Sequence, residues 1–306
     1  MADECDIAVI GGGIAGLTAA HHALDGGCTV THILGTEAMG GLVCNVGELR
    51  GYPTGDQPAS GIGLAIGLST ANVSRGVNEL MANATSLSHE GSRFRITTSE
   101  GETVARQVIA ATGARLRTLD APGAKQFVGR GVSQCAWCDG PLYSGKDVVV
   151  VGGGDAALEE AHHLAQFAAK VTVVTRGSGF RARPSYVRRI AELENVEVRQ
   201  MSETAEIIGT DGVEAVRVID SQSGAGETIP CAGVFVFIGL EPNSSLIGNL
   251  ARLDPGGQVE TDSAMRTATP GLYAVGALRS DYGGRLVHAV GEAATAAMAA
   301  ARACSG

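Results

Sequence analysis

Positive charge is in deficit in this sequence. Lys and Arg number 23 against 32 Asp and Glu, a formal net charge of −9, which argues against nucleic acid or an anionic membrane as the main partner. No stretch approaches the ~20 consecutive apolar residues that a bilayer-spanning helix needs, and no targeting signal precedes the first strand-like run, "DIAVIGGG". Seven cysteines, an odd number on a long chain, do not make a secreted disulfide framework. The expectation is a cytoplasmic protein with most thiols reduced. Aromatic residues make up 4%, with Trp137 the single tryptophan, whereas glycine is abundant at 44 residues. The glycines show no three-residue period, so collagen is excluded. They cluster in turns, where a backbone approaches something closely.

A chain of 306 residues suggests two domains, and an internal repeat organises it. Shifted by 141 residues, "DIAVIGGGIAGLTAAHHALDGGCTVTHILG" from Asp6 and "DVVVVGGGDAALEEAHHLAQFAAKVTVVTR" from Asp147 align without a gap. Each reads as strand, glycine turn, amphipathic helix and strand, one βαβ unit used twice. The first turn gives G-x-G-x-x-G as Gly11, Gly13 and Gly16; the second gives G-x-G-x-x-A as Gly152, Gly154 and Ala157. Such glycines let backbone N–H groups meet a pyrophosphate at a helix N-terminus. One copy is a weak signal; two in register point to two dinucleotide sites.

The residues after the second strand of each repeat bear on which dinucleotide sits where. No carboxylate follows "KVTVVT"; instead Arg176, Arg181, Arg183, Arg188 and Arg189 fall within 14 positions. Arg176 and Arg181 suit a 2′-phosphate, hence NADPH, and Arg188 and Arg189 a solvated face. In the first repeat "ILGTEAMGG" leads to a second glycine pair, Gly40 and Gly41, and the runs 108–114 and 271–278 also end in glycine turns. The adenine dinucleotide here fits FAD, although spacing alone does not select it.

"QCAWCDG" places Cys135 and Cys138 three apart, with Asp139 behind. Zinc needs about four ligands, and Cys5, Cys28, Cys44, Cys231 and Cys304 form no second pair; His162–His163 repeat His21–His22 and so read as structural. A disulfide closing so small a loop stabilises little. A redox-active dithiol fits best, with one thiolate attacking a partner disulfide and its neighbour resolving the mixed disulfide. Asp139 reads either as the proton shuttle or as an ordinary Asp-Gly turn residue.

With these motifs placed, the chain resembles the low-molecular-weight thioredoxin reductase family of flavoproteins over nearly its whole length. "GGGIAGLTAA", "AMGGLV", "VIAATGA", "GRGVSQCAWCDG", "VVVVGGGDAALEEA", "VFVFIGLEPN" and "TPGLYAVGALR" follow one another in the family's order. The resemblance implies an α/β fold of two Rossmann-like domains in a homodimer, the NADPH domain inserted into the FAD domain. The FAD domain would be 1–115 and 243–306, the NADPH domain 116–242, with hinges near 114–118 and 241–244. It adds Thr112, Gly113, Gly276 and Ala277 to the cofactor-binding set. Electrons would pass from NADPH through FAD to the Cys135–Cys138 disulfide and on to thioredoxin or a small disulfide. Cys138 would be the flavin-proximal thiol, Cys135 the one attacking substrate, and Asp139 the acid/base.

Several positions depart from the family pattern. Ala277 replaces an aspartate that contacts the flavin ribityl chain, Leu42 replaces a polar flavin contact, and Gly284-Arg285 stands for Arg-Gln. The H-R-R-x-x-x-R motif reads "TRGSGFR". Trp137 occupies a site where the family has a small or β-branched residue. It reads either as a contact for a small disulfide or as a packing residue, and His288 as either a flavin neighbour or a helix-start residue. Cys44 and Cys304 are read as bland, the latter in a frayed tail, and 293–303 as a closing helix. Other readings are a flavin-dependent oxidase of a small-molecule dithiol, which the intact Gly152–Gly154 turn disfavours, a ferredoxin-fed reductase, and a non-catalytic flavin or nucleotide sensor.

Overall fold

The computed structural model describes residues 3–37, 39–49, 52 and 60–305. It divides into two compact units: one contains the chain up to Arg115 and from Glu241 onward, the other Leu116–Leu240. The second crossing lies two residues before the boundary read from the sequence, because Leu240–Pro242 is itself a strand.

In chain order the first unit begins with β1 (Asp3–Ile10), α1 (Ile14–Asp25), β2 (Val30–Ile33), α2 (Gly61–Ser74) and β3 (Asn78–Leu80). It continues with β4 (Ala84–Glu90), β5 (Arg93–Thr98), β6 (Gly101–Ala110) and β7 (Ala114–Leu116), the last leading across the boundary. The second unit holds β8 (Val132–Ser133), α3 (Ala136–Asp139), β9 (Asp147–Val151), α4 (Asp155–Leu164), β10 (Lys170–Val174) and α5 (Pro184–Ala191). There follow β11 (Val196–Arg199), β12 (Ser202–Gly209), β13 (Val213–Asp220), β14 (Gly226–Pro230) and β15 (Gly233–Val236). The chain returns through β16 (Leu240–Pro242), which pairs with β7, to β17 (Leu272–Ala274) and α6 (Leu286–Ser305).

The first unit is built on a sheet in the order β3-β2-β1-β6-β5-β4, with β17 also on β6. Its β3, β2, β1, β6 and β17 run parallel, while β4, β5 and β6 form an antiparallel meander. The second unit carries the parallel order β11-β10-β9-β15-β8 and a separate antiparallel ribbon, β12-β13-β14. Strands buried on both faces need continuous apolar runs rather than alternation, and "IAVI" of β1 and "VVVV" of β9 are buried throughout.

The repeat seen in the sequence is a repeat of hydrogen bonds. Gly11 N–H donates to the Ile33 carbonyl at 2.8 Å and Gly152 N–H to that of Val174 at 2.9 Å, one residue pair 141 positions apart. Leu17 N–H on Gly13 O and Leu158 N–H on Gly154 O repeat in the same way, at 3.0 and 3.2 Å. The paired histidines are structural too: His21 meets Asn72 and Arg75, and His162 meets Arg189.

The closing helix begins at Leu286, seven residues before the stretch read from the sequence, and packs its alanine face on α1. A side chain at Gly26 would stand 2.4 Å from the Ala301 Cβ, so small residues allow the close approach. Cys304 is therefore no frayed tail. It lies within α6, half-buried, with its thiol 3.8 Å from the Asp6 carbonyl oxygen.

Phe94 on β5 is fully buried and fills the space beside Gly271, where a Cβ would approach it to 3.0 Å. Phe94→Ala is expected to lower stability by about 3–5 kcal/mol, read from chemical denaturation of the purified protein.

Candidate redox and dinucleotide sites

In the first unit the carboxyl ends of β1, β6 and β17 converge, as expected for ligand sites of open parallel sheets. Gly11 has φ of 120°, and a Cβ there would stand 2.3 Å from the Ala111 carbonyl oxygen. A Cβ at Gly16 would stand 1.9 Å from the Gly11 carbonyl oxygen, so α1 can lie against the turn only with glycine here. Gly13 is the N-cap of α1 and has no side chain to offer the first turn. Gly40 folds back onto this turn, its N–H on the Gly12 carbonyl at 2.8 Å. The neighbouring Ala38 lies outside the described residues. Gly276, after β17, comes within 3.1 Å of Ala15 at its Cβ position.

Other residues of the expected FAD set are engaged within the protein. Thr112 Oγ1 donates to the Asn243 carbonyl at 2.7 Å, Asn243 Nδ2 returns a bond to Thr112 O, and Asn243 N–H bonds Gly113 O. Gly276 N–H is taken by the buried Glu292 carboxylate at 2.8 Å, which also pairs with Arg279 at 2.9 Å. Ala277 is half-buried beside it and Leu42 exposed, while His288 is exposed and packs edge-on to Tyr282.

The sequence reading passed over two residues of this region. Glu37 is exposed, four positions past β2 and 21 past Gly16, the spacing at which an acid meets a ribose hydroxyl. His32, fully buried in β2, donates from Nε2 to the Gly11 carbonyl at 3.0 Å. Its Nδ1 is buried without a hydrogen bond, 3.9 Å from Glu79. Burial pushes His32 down to about 4, against the pull of the Gly11 carbonyl.

In the second unit Gly152 has φ of 146°, and a Cβ would stand 2.2 Å from the Phe237 carbonyl oxygen and 2.9 Å from the Ala157 Cβ. Gly154 is the N-cap of α4, with open space where its side chain would be. Both glycine turns thus present first-turn N–H groups without a competing side chain, which fits an anionic pyrophosphate. Arg181 N–H donates to Gly153 O at 2.8 Å, setting that residue beside the turn, and Arg176 follows the end of β10. Both are exposed, and neither forms an ion pair with another described residue. Arg183 is different: its guanidinium is paired with Asp155 at 2.6 Å. Arg188 is exposed, and Arg189 lies half-buried against His162.

Cys135 and Cys138 are joined by a disulfide, with Cα atoms 5.3 Å apart. Cys135 is the N-cap of α3, its Sγ accepting from Cys138 N–H at 3.1 Å. Cys135 is buried and Cys138 exposed. Asp139 closes α3, and its carboxylate accepts from Ser133 Oγ at 2.6 Å, so Ser133 fixes it beside the pair. Trp137 lies flat on His163, ring centroids 3.8 Å apart, and His163 meets Phe167 edge-on. The other five cysteines are free. Burial raises all of them above the ordinary thiol range, Cys231 and Cys304 to about 12, so they are poor nucleophiles at neutral pH.

A family profile described as pyridine nucleotide-disulphide oxidoreductase matches residues 5–301. Thioredoxin reductase of Treponema pallidum is 34% identical over 301 residues, covering 98% of this chain and 97% of that protein. The crystal structure of Lactococcus lactis thioredoxin reductase superposes with a TM-score of 0.94 at 30% identity, over 98% of this chain and 99% of that one. The T. acidophilum thioredoxin reductase gives 0.93 at 27% identity, over 99% of each chain. The chain belongs to the low-molecular-weight thioredoxin reductase family. It is an FAD-dependent disulfide oxidoreductase of two-domain Rossmann-like fold, and the family's cofactors are FAD and NADPH. The sensor reading is thereby set aside.

His32 ties folding to pH. It is neutral when folded, with a pKa of about 4, whereas an unfolded histidine titrates near 6.5. The unfolded chain therefore binds the extra proton first, and stability is lost as pH falls from 6.5 to 4, by on the order of 3 kcal/mol. His32→Leu is expected to flatten this part of the stability profile, measured by denaturation between pH 4 and 8.

Proposed function

We propose that the protein passes electrons from NADPH through FAD and the Cys135–Cys138 pair to thioredoxin or a smaller disulfide. The observation that carries this is the Cys135–Cys138 disulfide, with Asp139 held beside it by Ser133, in a unit that owns a glycine-turn nucleotide motif. The first unit would hold FAD, with Gly11, Gly13 and Gly16 under the pyrophosphate, Glu37 on the ribose, and Gly40–Gly41 and Gly276–Ala277 around the remainder. The second would hold NADPH, with Gly152, Gly154 and Ala157 shaping the turn and Arg176 and Arg181 taking the 2′-phosphate.

FAD, when bound, supplies the two-electron exchange between nicotinamide and disulfide. The chain's own groups do the rest. Cys138 would be the thiol that takes electrons from the flavin, and Cys135 would attack the substrate disulfide once freed. Asp139 holds the proton that the departing thiolate takes up, and its bond to Ser133 keeps the carboxylate aimed. The thioredoxin reductases among its relatives support thioredoxin as acceptor, and the reading includes a homodimer. Five free thiols beside one redox disulfide fit a reducing compartment, the cytoplasm. Among the described residues no helix is long and apolar enough to cross a membrane.

Anaerobic titration of the FAD-loaded protein with NADPH tests the reading. Two equivalents of NADPH are expected to bleach the flavin band and give two new thiols at Cys135 and Cys138, since flavin and disulfide each take one electron pair. Cys138→Ser should keep the bleaching and lose at least a hundredfold in thioredoxin reduction. Bleaching by a small dithiol, with none by NADPH, would replace this reading with the dithiol oxidase.

A further inference from the structure

One buried carboxylate of the first unit has no part in the scheme above. The face that α6 turns to the core is made of alanines, Ala289, Ala293 and Ala296 among them, and in that face stands Glu292, also buried. A charge in such a face is costly unless it is paired and hydrogen-bonded. Both its oxygens are taken by a single loop. Glu292 Oε2 accepts from the Gly276 N–H at 2.8 Å, and Oε1 from Arg279 Nη2 at 2.9 Å. Arg279 N–H in turn donates to the Gly276 carbonyl at 2.9 Å. One side chain therefore grips both ends of the four-residue turn 276–279.

This turn lies at the carboxyl ends of the parallel strands. It follows β17, and Val275 N–H bonds the carbonyl of Ala110, the last residue of β6, at 3.1 Å. Gly276 has φ of 72°, and a Cβ there would stand 3.1 Å from that of Ala15, in the first turn of α1, and 3.9 Å from that of Ala289. The residue is thus wedged between α1 and α6, beside the glycine turn that would take the pyrophosphate. The far end of the turn is tied separately: Val259 N–H bonds Leu278 O and Gln258 Nε2 bonds Arg279 O, both at 3.0 Å. Between these anchors the Gly276 N–H is held by Glu292.

Stability alone does not account for the arrangement. A buried ion pair is weak evidence for stability, because desolvation offsets much of its attraction. Here the pair is also imperfect. Arg279 Nε is buried with no hydrogen-bond partner among the described residues, and Nη1 reaches Thr261 Oγ1 only at 3.3 Å. What the pair does fix is the shape of a loop at the strand ends, where open parallel sheets bind their ligands.

We propose that Glu292 is a positioning residue of the FAD site: by holding the Gly276 N–H from α6, it keeps the turn 276–279 in its cofactor-binding shape before FAD arrives. A ligand that binds one conformation of a loop loses affinity in proportion to the molecules outside that conformation. With the carboxylate in place the turn is already competent, and FAD has no loop to order. Without it, a glycine at φ of 72° is free to leave the left-handed region, and FAD affinity falls with the share of molecules that do. This rests on the first unit holding FAD with Gly276–Ala277 around it, as proposed above.

The test compares two double variants that leave no buried charge unpaired. Arg279→Met with Glu292→Leu removes the ion pair and the acceptor for the Gly276 N–H. Arg279→Met with Glu292→Gln removes the ion pair but keeps an acceptor. Each FAD-loaded protein is diluted, and the Kd for FAD is read from the rise in free-flavin fluorescence; urea denaturation after FAD release reads fold stability. The glutamine form should hold FAD within about threefold of wild type. The leucine form should bind it about tenfold more weakly or worse, as for a turn competent in about one molecule in ten. Equal Kd values in the two forms overturn the proposal and leave the pair a structural staple. Should the leucine form unfold on losing FAD, the wild type decides. Amide hydrogen exchange of its 272–279 segment should stay slow once FAD has dissociated; protection seen only while FAD is bound means that the cofactor orders the turn, and overturns the proposal. Neither NADPH nor a disulfide substrate is used, so these outcomes are independent of the electron route. A wild type that holds no FAD would overturn the cofactor assignment and the proposal with it, whereas equal Kd values overturn the proposal alone.

Discussion

The contact on which the first unit depends is that between the Gly11 carbonyl and the first turn of α1. A side chain at Gly16 would lie within 1.9 Å of that oxygen, so helix and strand meet backbone to backbone. This closeness aims the free N–H groups of α1 at the space beyond the strand ends, where Gly40 and Gly276 also arrive. The same carbonyl accepts from His32, which joins β2 to the turn from beneath. The proposed dinucleotide site would be a consequence of packing: the residues that make the sheet and helix fit also bare the helix N-terminus. The second unit reaches the same result with one change. Ala157 stands where Gly16 does, and Gly152, like Gly11, is pressed against a neighbouring carbonyl, here that of Phe237, with the Ala157 Cβ close beside it.

Much of this was legible in the sequence, because it depends on short-range rules. The 141-residue repeat predicts two strand–turn–helix–strand units, and the structure reproduces even single hydrogen bonds in register. The C-x-x-C with its aspartate is equally local, since three residues fix the loop. Glu37 was also readable, from its spacing to Gly16, although the adjacent Gly40–Gly41 pair is the more conspicuous local feature. Other features depend on long-range partners. Nothing in "VTHI" says that its histidine meets a carbonyl 21 residues earlier, and Ser133 becomes informative only once α3 folds Asp139 back onto it. Arg183 belonged to a basic cluster in sequence but pairs with Asp155, 28 residues away. The crossing at 240 moved because β16 takes its partner from β7, more than a hundred residues before.

The departures from the family pattern sort by what replaces the missing group. At position 277 an alanine removes a carboxylate, yet the loop keeps an acid beside it: buried Glu292 from α6 holds Gly276 N–H and the partly buried Arg279. Such a pair is strongly destabilised if one partner is removed, so the loop's shape is guarded by α6, whatever the residue at 277. Trp137 is the opposite case, an addition rather than a loss. A large ring beside the sulfurs would be mobile if it stood alone. Stacked on His163 it becomes part of the wall between α3 and α4.

That wall explains why the redox pair belongs to the second unit. Its short helix, four residues long, has too few hydrogen bonds to hold a shape alone. It is kept in place by α4, through the Trp137 stack on His163, and by Phe167 just beyond α4, which lies against Gly140. The glycine turn that begins α4 is the candidate NADPH site, so one helix carries the nucleotide turn at its first residue and the disulfide on its flank. A free C-x-x-C loop elsewhere on the surface would have the same chemistry but no fixed geometry. Mounted on α4, the sulfurs, Asp139 and the nucleotide turn move as one rigid piece. Any motion of that unit therefore carries the disulfide and the nucleotide together, which is what a relay needs if its two reactions occur at different moments.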